Sequence, residues 1–399
     1  VKAVPLILHT SDTHLGYAQF DLLERENDVY EAFNEVVETA VKDRVDAVIH
    51  SGDIFHVPKP GGRPLVKLAE GIKTLADKGI RFYFNFGEHD SNQVWGTPSS
   101  YLFHKLGLAT YVGDGDPVID GDLMIVGFHK RKKGAIDDLL EAFKTSDRAA
   151  EQHPEKKRVA VIHQGLYELH GFAGELTAND LPRHFDYYAM GHLHDHSESR
   201  FEQLRGPLCY PGSLDPTDVE GIHEFKKGFY IVDLSGSEAK PEWVEVKSSR
   251  RQFRFDVEYA KFREEIAGVV GEIDRKALTK KPVILLRVKG ADIDNGEVNA
   301  SLGAFREDCL YADWTPLVEE TGGGGGSLLA EKPADIQQEM FTLALKALGT
   351  EAKASFAVNE LLPLLAAGNH EDALELVTRT FEESRVSKND RSGGGAPDP

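Results

Sequence analysis

Five times in the first half of the chain, an apolar run of strand length leads into a carboxylate or an imidazole. Leu6–His9 leads to Asp12-Thr13-His14, Ala47–His50 to Gly52-Asp53, and Arg81–Phe86 to Gly87-Glu88-His89-Asp90. Val159–His163 ends on His163-Gln164, and Tyr187–Met190 runs into Gly191-His192-Leu193-His194. Met124–Phe128 and Gly228–Val232 are further strand candidates. Helical stretches lie between: Asn27–Asp43, with Val29, Phe33, Val36, Val37 and Ala40 at helical spacing, then Pro64–Lys78, Pro98–Leu106 and Ile136–Lys144. Alternation of this kind predicts an α/β layer fold. The later strands lie closer together, so the sheets are expected to be mixed rather than purely parallel. Strand ends are rigid platforms whose loops turn side chains toward a common crevice. A single Asp is ordinarily a cap or turn residue, and a single His a satisfied or exposed side chain. Five motifs at strand ends exceed that explanation. They offer oxygen and imidazole donors for two metal ions, and such pairs commonly cleave phosphate esters.

Length and charge bound the rest. At 399 residues the chain has room for two or three domains. No apolar run reaches the roughly 20 residues that cross a bilayer, so no membrane partner is expected. Residues 4–8 are too short for a signal peptide and lack its basic flank, which makes a cytoplasmic location the expectation. Cys209 and Cys309 lie far apart without a CxxC partner and read as reduced core residues, which leaves imidazole the better metal donor among 16 histidines. A net charge of -20 argues against a protein that passively coats nucleic acid, but not against a nuclease with a local basic surface. Basic clusters occur at Lys130–Lys133, Lys156–Arg158, Lys226-Lys227 and Arg250-Arg251, each of which can equally be a solvated face.

Residues 236–320 form a different pattern: strand Phe253–Glu258, helix Phe262–Asp274, strand Val283–Val288, helix Val298–Phe305 and strand Leu310–Val318. That is a small βαβαβ unit. Residues 321–332 contain Gly322–Gly326 and read as a flexible linker. Within 333–386 three amphipathic segments follow, marked by Ile336, Met340, Leu343 and Ala347, by Phe356, Leu361, Leu362 and Leu365, and by Leu374, Val377 and Phe381 after a cap at Asn369. So little core is available there that a partner-docking segment is preferred to an independent mini-domain. Residues 387–399 read as a disordered tail.

The order DxH, GD, GxHD, H, GHxH resembles the calcineurin-like metallophosphoesterases over residues 1–235. Narrower features are similar to one branch, the SbcD-type or meiotic recombination eleven family of DNA double-strand-break repair nucleases. They are Gly52-Asp53-Ile54-Phe55-His56, His163-Gln164-Gly165, Tyr187–His194, Tyr210–Leu214 and Lys227–Tyr230. The resemblance implies a layered sandwich of mixed sheets flanked by helices (1–235), a small α+β capping domain (236–320) and C-terminal helices that bind an ATPase. It implies two manganese ions per subunit, with Asp12, His14 and His194 on one, Glu88, His163 and His192 on the other, and Asp53 bridging both. It further implies His89 on the phosphate, Asp90 orienting His89, and His56 orienting the DNA end or protonating the leaving oxygen.

The implied activity is 3′–5′ exonuclease on double-stranded DNA ends and endonuclease on single strands, in a homodimer bound to a coiled-coil ABC ATPase of the SbcC (Rad-fifty) type. The dimer seam would map to Leu65, Leu68, Leu75, Tyr101 and Leu102, unless these pack on their own sheet. Residues 91–98 and Lys130–Lys133 are candidates for gripping DNA phosphates. One position departs from the family: the usual GNHD is GEHD, so Glu88 stands where an asparagine ligand is expected. The rival readings are a small-molecule phosphomonoesterase or cyclic phosphodiesterase, and a DNA-tethering subunit that cleaves weakly because of Glu88.

Overall fold

The structure, a computed structural model, describes residues 5–91, 96–171, 174–217, 226–274, 278–290, 293–305 and 308–317, with 340–341, 343–345, 348, 350–366, 373 and 376–380. The chain divides into two compact units, residues 1–165 with 176–321, and residues 166–175 with 322–399.

Within the larger unit two six-stranded sheets are built. The first holds β1 (Leu6–Thr10), β2 (Ala47–His50), β3 (Arg81–Phe84), β4 (Thr110–Tyr111), β11 (Gly228–Asp233) and β12 (Lys240–Glu245), ordered β12-β11-β1-β2-β3-β4. The second holds β5 (Val118–Asp120), β6 (Leu123–Phe128), β7 (Lys157–His163), β8 (Tyr187–Gly191), β9 (Ser197–Ser199) and β10 (Leu208–Tyr210), ordered β5-β6-β7-β8-β10-β9. Pairing is parallel in the middle and antiparallel toward the edges, at β1–β11, β11–β12, β5–β6 and β9–β10. The sheets are therefore mixed, as expected.

Side chains alternate between faces with the period of two that a strand imposes. Ile7, Ile49, Val159, Val161, Tyr187 and Ala189 meet in a core shared by the two sheets. Their neighbours Leu8, Val48 and Phe84 turn the other way, onto Val29, Phe33, Val36, Leu68 and Ile72. Those residues come from α1 (Leu23–Asp43) and α2 (Gly62–Ala76); α3 (Tyr101–Lys105) follows β3, and α4 (Ile136–Gln152) covers the second sheet with Phe143 set edge-on to Phe128 at 4.7 Å. The layers are thus α/β/β/α. Each fully buried large apolar side chain contributes roughly 1.5–3 kcal/mol. Leu68 and Leu75 of the expected dimer seam are buried in this core, Leu65 and Tyr101 pack partly against it, and Leu102 is exposed.

The first sheet continues past residue 235, because β12 pairs with β11 from Gly228↔Glu245 to Asp233↔Lys240. A three-stranded parallel sheet then follows: β13 (Gln252–Glu258), α5 (Phe262–Asp274), β14 (Val283–Lys289), α6 (Asn295–Phe305) and β15 (Tyr311–Leu317). Val257, Phe262, Val269, Ile284, Leu286, Val298 and Leu302 form its core. Helix α6 begins three residues before Val298, since Asp294 Oδ1 accepts from the Gly296 and Glu297 amides at 2.7 and 3.2 Å and so caps it.

In the smaller unit a helix runs through Glu351–Phe356, Ala357–Leu361 and Leu362–Ala366, the middle piece π-helical, after Thr350 Oγ1 accepts from the Lys353 amide. This is the second amphipathic segment. Met340, Leu343 and Val377 also lie in helical residues, whereas Ile336, Ala347, Leu374, Phe381, Asn369, the linker and the tail fall outside the described residues. Among the described residues no helix is long and apolar enough to cross a membrane, and Cys209 and Cys309 are buried free thiols.

Candidate metal centre

The loops that leave β1 and β2 run side by side. The Asp12 amide donates to Gly52 O at 3.0 Å, and the His14 and Leu15 amides donate to Asp53 O and Ile54 O at 3.1 and 2.8 Å. To turn that sharply, the backbone takes positive φ at Asp12 (48°), His14 (49°) and Asp53 (55°); His192 beyond β8 does the same at 100°. Each such non-glycine residue costs about 1–3 kcal/mol and persists only where its surroundings hold it. Close approach explains the glycines of two motifs. A Cβ on Gly52, itself at φ +95, would lie 2.2 Å from His163 Nδ1, and one on Gly191 would lie 2.0 Å from Ser51 O.

Donor atoms converge at the strand ends. Those of Asp12, His14 and His194 lie within 4.8 Å of one another, and so do those of Asp12, Asp53 and His163, and of Asp53, Glu88 and His89. His14 Nε2 and His194 Nε2 face each other at 3.2 Å, with Asp12 Oδ1 4.0 Å from the latter. Thr217 Oγ1 meets His194 Nδ1 at 2.7 Å, which leaves Nε2 turned to the site. His163 Nδ1 donates to Ser51 O at 2.7 Å, so its Nε2, 3.4 Å from Asp53 Oδ2, is left with a lone pair for a cation. His163 Nε2 and His14 Nδ1 are buried with no hydrogen-bond partner among the described residues. A buried polar atom without a partner is costly, and a cation relieves that cost. Carboxylate and imidazole donors without thiolate suit a hard or borderline divalent ion. The residues present fit a metal.

Burial sets the charge states before any ion binds. It pushes the Asp12 carboxyl up and the His14 and His192 imidazoles well down, the latter helped by the charge of Lys130. Burial also opposes charge on Asp53, but the His163 imidazole beside it, with His89 and His14, holds that carboxyl well below the usual range. For the same reason, and against burial, Asp53 lifts His163 to about 9.

Three placements differ from expectation. Among the described residues Asp90 bonds to the backbone rather than to the His89 ring: its carboxylate accepts from the Ile54, Phe55 and Gly87 amides at 3.2, 3.0 and 3.1 Å and ties the second and third loops together. His89 is oriented instead by its Nδ1 donating to His56 O at 2.9 Å and by its amide donating to Asp53 Oδ1 at 2.9 Å. The His56 ring stacks over His89 with centroids 5.4 Å apart, and burial with the His89 charge pushes it down to about 4. Second, Glu88 and His192 are only 3.7 Å apart (Oε1 to Nδ1), but no group of three donors within 4.8 Å among the described residues includes His192. Third, one residue of each basic cluster turns inward. Lys130 reaches Glu88 and His192, Arg158 pairs with Asp186 at 3.0 Å, Lys227 donates to His194 O at 2.8 Å, and Arg250 pairs with Asp28 at 2.6 Å. Of the expected phosphate grip, residues 92–95 lie outside the described residues. Thr217, Ser51 and Lys227 back the donors without belonging to any readable metal motif; only the hydrogen bonds reveal them.

These features agree with the comparisons to known proteins. The profile of the calcineurin-like phosphoesterase family matches residues 5–196. A protein of Thermoplasma acidophilum described as DNA double-strand break repair protein Mre11 is 32% identical over 310 residues, covering 75% of this chain and 80% of its own length. Proteins of the same description from Methanococcus maripaludis and Saccharolobus solfataricus are 30% and 29% identical, covering 69% and 78% of this chain and 76% and 79% of their own. With donors of all five motifs gathered at the ends of adjacent strands and this identity across most of its length, the chain belongs to the Mre11 family of DNA double-strand break repair proteins, within the calcineurin-like phosphoesterases.

Proposed function

We propose that this chain is a manganese-dependent DNA nuclease, acting as a 3′–5′ exonuclease on double-stranded ends and an endonuclease on single strands during double-strand-break repair. Family membership makes it a metal-dependent phosphoester hydrolase. The observation that carries the finer reading is the packing of Asp12, His14, Asp53, His163 and His194 into overlapping donor groups, with His89 and His56 beside them. Asp12, His14 and His194 would hold one cation, Glu88, His163 and His192 the other, and Asp53 would bridge. Two cations held there would supply the acidification of a water and the stabilisation of charge on phosphate oxygens.

The chain's own residues do the rest. Because a carbonyl can only accept, His89 Nδ1 carries the proton shared with His56 O, and a phosphate oxygen, itself an acceptor, would be met at Nε2 by the doubly protonated ring. Asp90 fixes the loop that carries His89. His56, stacked on His89 and 4.3 Å from the Tyr17 ring centroid, would align the DNA end; with its imidazole held down to about 4, giving a proton to the leaving oxygen is the weaker of its two expected roles. The βαβαβ unit would act as the capping domain. Residues 333–386 would dock a coiled-coil ABC ATPase of the SbcC type, and the exposed Leu102, Leu106 and Val66 would contribute to a homodimer seam.

The test is manganese-dependent digestion of a 3′-labelled linear duplex by wild type and His89→Ala. Mononucleotide release by wild type alone supports the reading. No release by wild type, with manganese confirmed bound, overturns it.

A further inference from the structure

We propose that Lys130 is a resident cation at the second metal position, placed there to balance Glu88 and displaced when the second divalent ion binds. The inference rests on the two-ion reading above. It begins with where the ammonium sits: Nζ is 3.5 Å from Glu88 Oε2 and 3.2 and 3.5 Å from His192 Nε2 and Nδ1. Two of the three residues assigned to the second ion therefore already face a positive charge. The lysine side chain is only 9% exposed, which is unusual for a group that ordinarily stays in water.

Its aim is fixed by the backbone. The Lys130 amide donates to Phe86 O at 3.0 Å, just ahead of the Glu88 loop. The next residue is clamped from the other side, with the Arg131 amide donating to Gln164 Oε1 at 3.2 Å and Gln164 Nε2 donating to Arg131 O at 3.1 Å. Gln164 directly follows His163. The stretch that carries Lys130 is thus tied to the loops of Glu88 and His163, which aims the lysine into the site.

The two ion positions consequently differ. On the first, Asp12, His14 and His194 converge; on the second, His192 joins no group of three donors among the described residues and instead meets Lys130. An ammonium has donors only, so it engages the same carboxylate and imidazole lone pairs that a divalent ion needs. Glu88 in place of a neutral amide adds one negative charge; Lys130 adds one positive charge and cancels it. The second ion then enters by substitution, one monovalent charge leaving as a divalent one arrives, and binds more weakly than the first. A lysine that grips DNA phosphate would instead face solvent with its lone-pair partners elsewhere.

Manganese titration of the metal-free full-length protein by calorimetry tests this, with bound metal counted by atomic emission after desalting and metal-free thermal melts confirming that each variant folds. Wild type should take up one ion tightly and a second more weakly. Lys130→Met should tighten the second ion on the order of tenfold, since a charge-assisted contact no longer competes. In the Glu88→Asn background the same substitution should change it less, because the lysine has lost its carboxylate. Lys130→Gln, which removes charge but keeps a donor, serves if the methionine variant does not fold. Unchanged manganese binding in the Lys130 variants overturns the inference, and if that comes with a raised KM for DNA the lysine is a phosphate grip. Two ions bound without DNA cleavage would instead count against the nuclease reading alone.

Discussion

In the two-sheet layer the strands that carry the donors are buried along nearly their whole length: every residue of β2 and β8 is buried, and all of β7 after its first. In the three-stranded sheet β13 has two buried residues and β15 has none. The connection between them carries a buried network of charges beside a small apolar cluster of Val283, Leu285, Phe20 and Tyr311. Arg25, wholly buried, pairs with Asp28 and Asp215; Arg250 and Lys280 reach Asp28 at 2.6 and 2.9 Å from the far side, and Ser249 donates to Asp215 at 2.9 Å. Around it Gln252 Nε2 donates to Gln19 Oε1 at 2.8 Å, and Phe20 stacks on Tyr311 with centroids 4.0 Å apart. Burial holds the catalytic geometry rigid, including its strained backbone, whereas charge leaves the junction sensitive to substitution and to acid.

The sharpest way to break the comparison is inside the layer. Asp53→Asn keeps the shape of the side chain but removes the bridging charge, so it should cost about 10³-fold or more in nuclease turnover, comparable to losing a central electrostatic contact, with little change in the thermal melt. Turnover within tenfold of wild type would show that the rigid centre is not the chemical one. At the junction the expected effect is on stability. Arg25→Met leaves Asp215 buried beside no guanidinium, and breaking a buried pair from one side costs about 3–5 kcal/mol. Urea denaturation would measure it, and a loss under about 1 kcal/mol would mean that the network behaves as a surface one.

Acid sharpens the same contrast. Burial alone would raise Asp28, but Arg250, Lys280 and Arg25 hold its carboxyl below the ordinary value of 3.8. Its stabilising contribution is complete above that value and lost as pH falls through the lower folded-state one. Asp215 has the opposite sign, since burial outweighs Arg25 and raises it, so its contribution is present at low pH and lost as pH rises. Thermal melts between about pH 5 and 3 should therefore fall less steeply with acid for Asp28→Asn than for wild type, and more steeply for Asp215→Asn. Equal slopes for all three would remove the network from the acid response.

How much of this was legible from sequence follows the same division. The donor-bearing strands are readable because each is a mostly apolar run with its ligand at its end or within four residues beyond it. The end of α4 is not: the apolar pattern stops at Lys144 while the helix runs to Gln152, because the buried stripe continues through Ser146 and Ala150, small residues that carry little hydrophobic signal. Strand β12 was missed because Pro241 interrupts its pattern, yet on an edge, opposite Val232, proline is tolerated. The surroundings of Asp90 and Lys130 are hidden from the sequence for a different reason. Two of the three amides that Asp90 accepts from belong to another loop, and nothing in a run of four basic residues says that its first member points inward.

The gentlest test probes the apolar contact within the charged junction. Phe20 packs flat on Tyr311, with ring planes 8° apart, although its own backbone sits at φ 60°. Phe20→Leu keeps most of the apolar area and removes the ring, so the loss should be only about 0.5–1.5 kcal/mol, read from urea midpoints, with nuclease turnover unchanged. Phe20→Gly removes the ring too but relieves the left-handed backbone, worth about 1 kcal/mol or more at a non-glycine residue. If charge dominates the junction, both substitutions should fall well short of Arg25→Met. If either exceeds it, the stacked pair is the principal fastening and the ion network the lesser one.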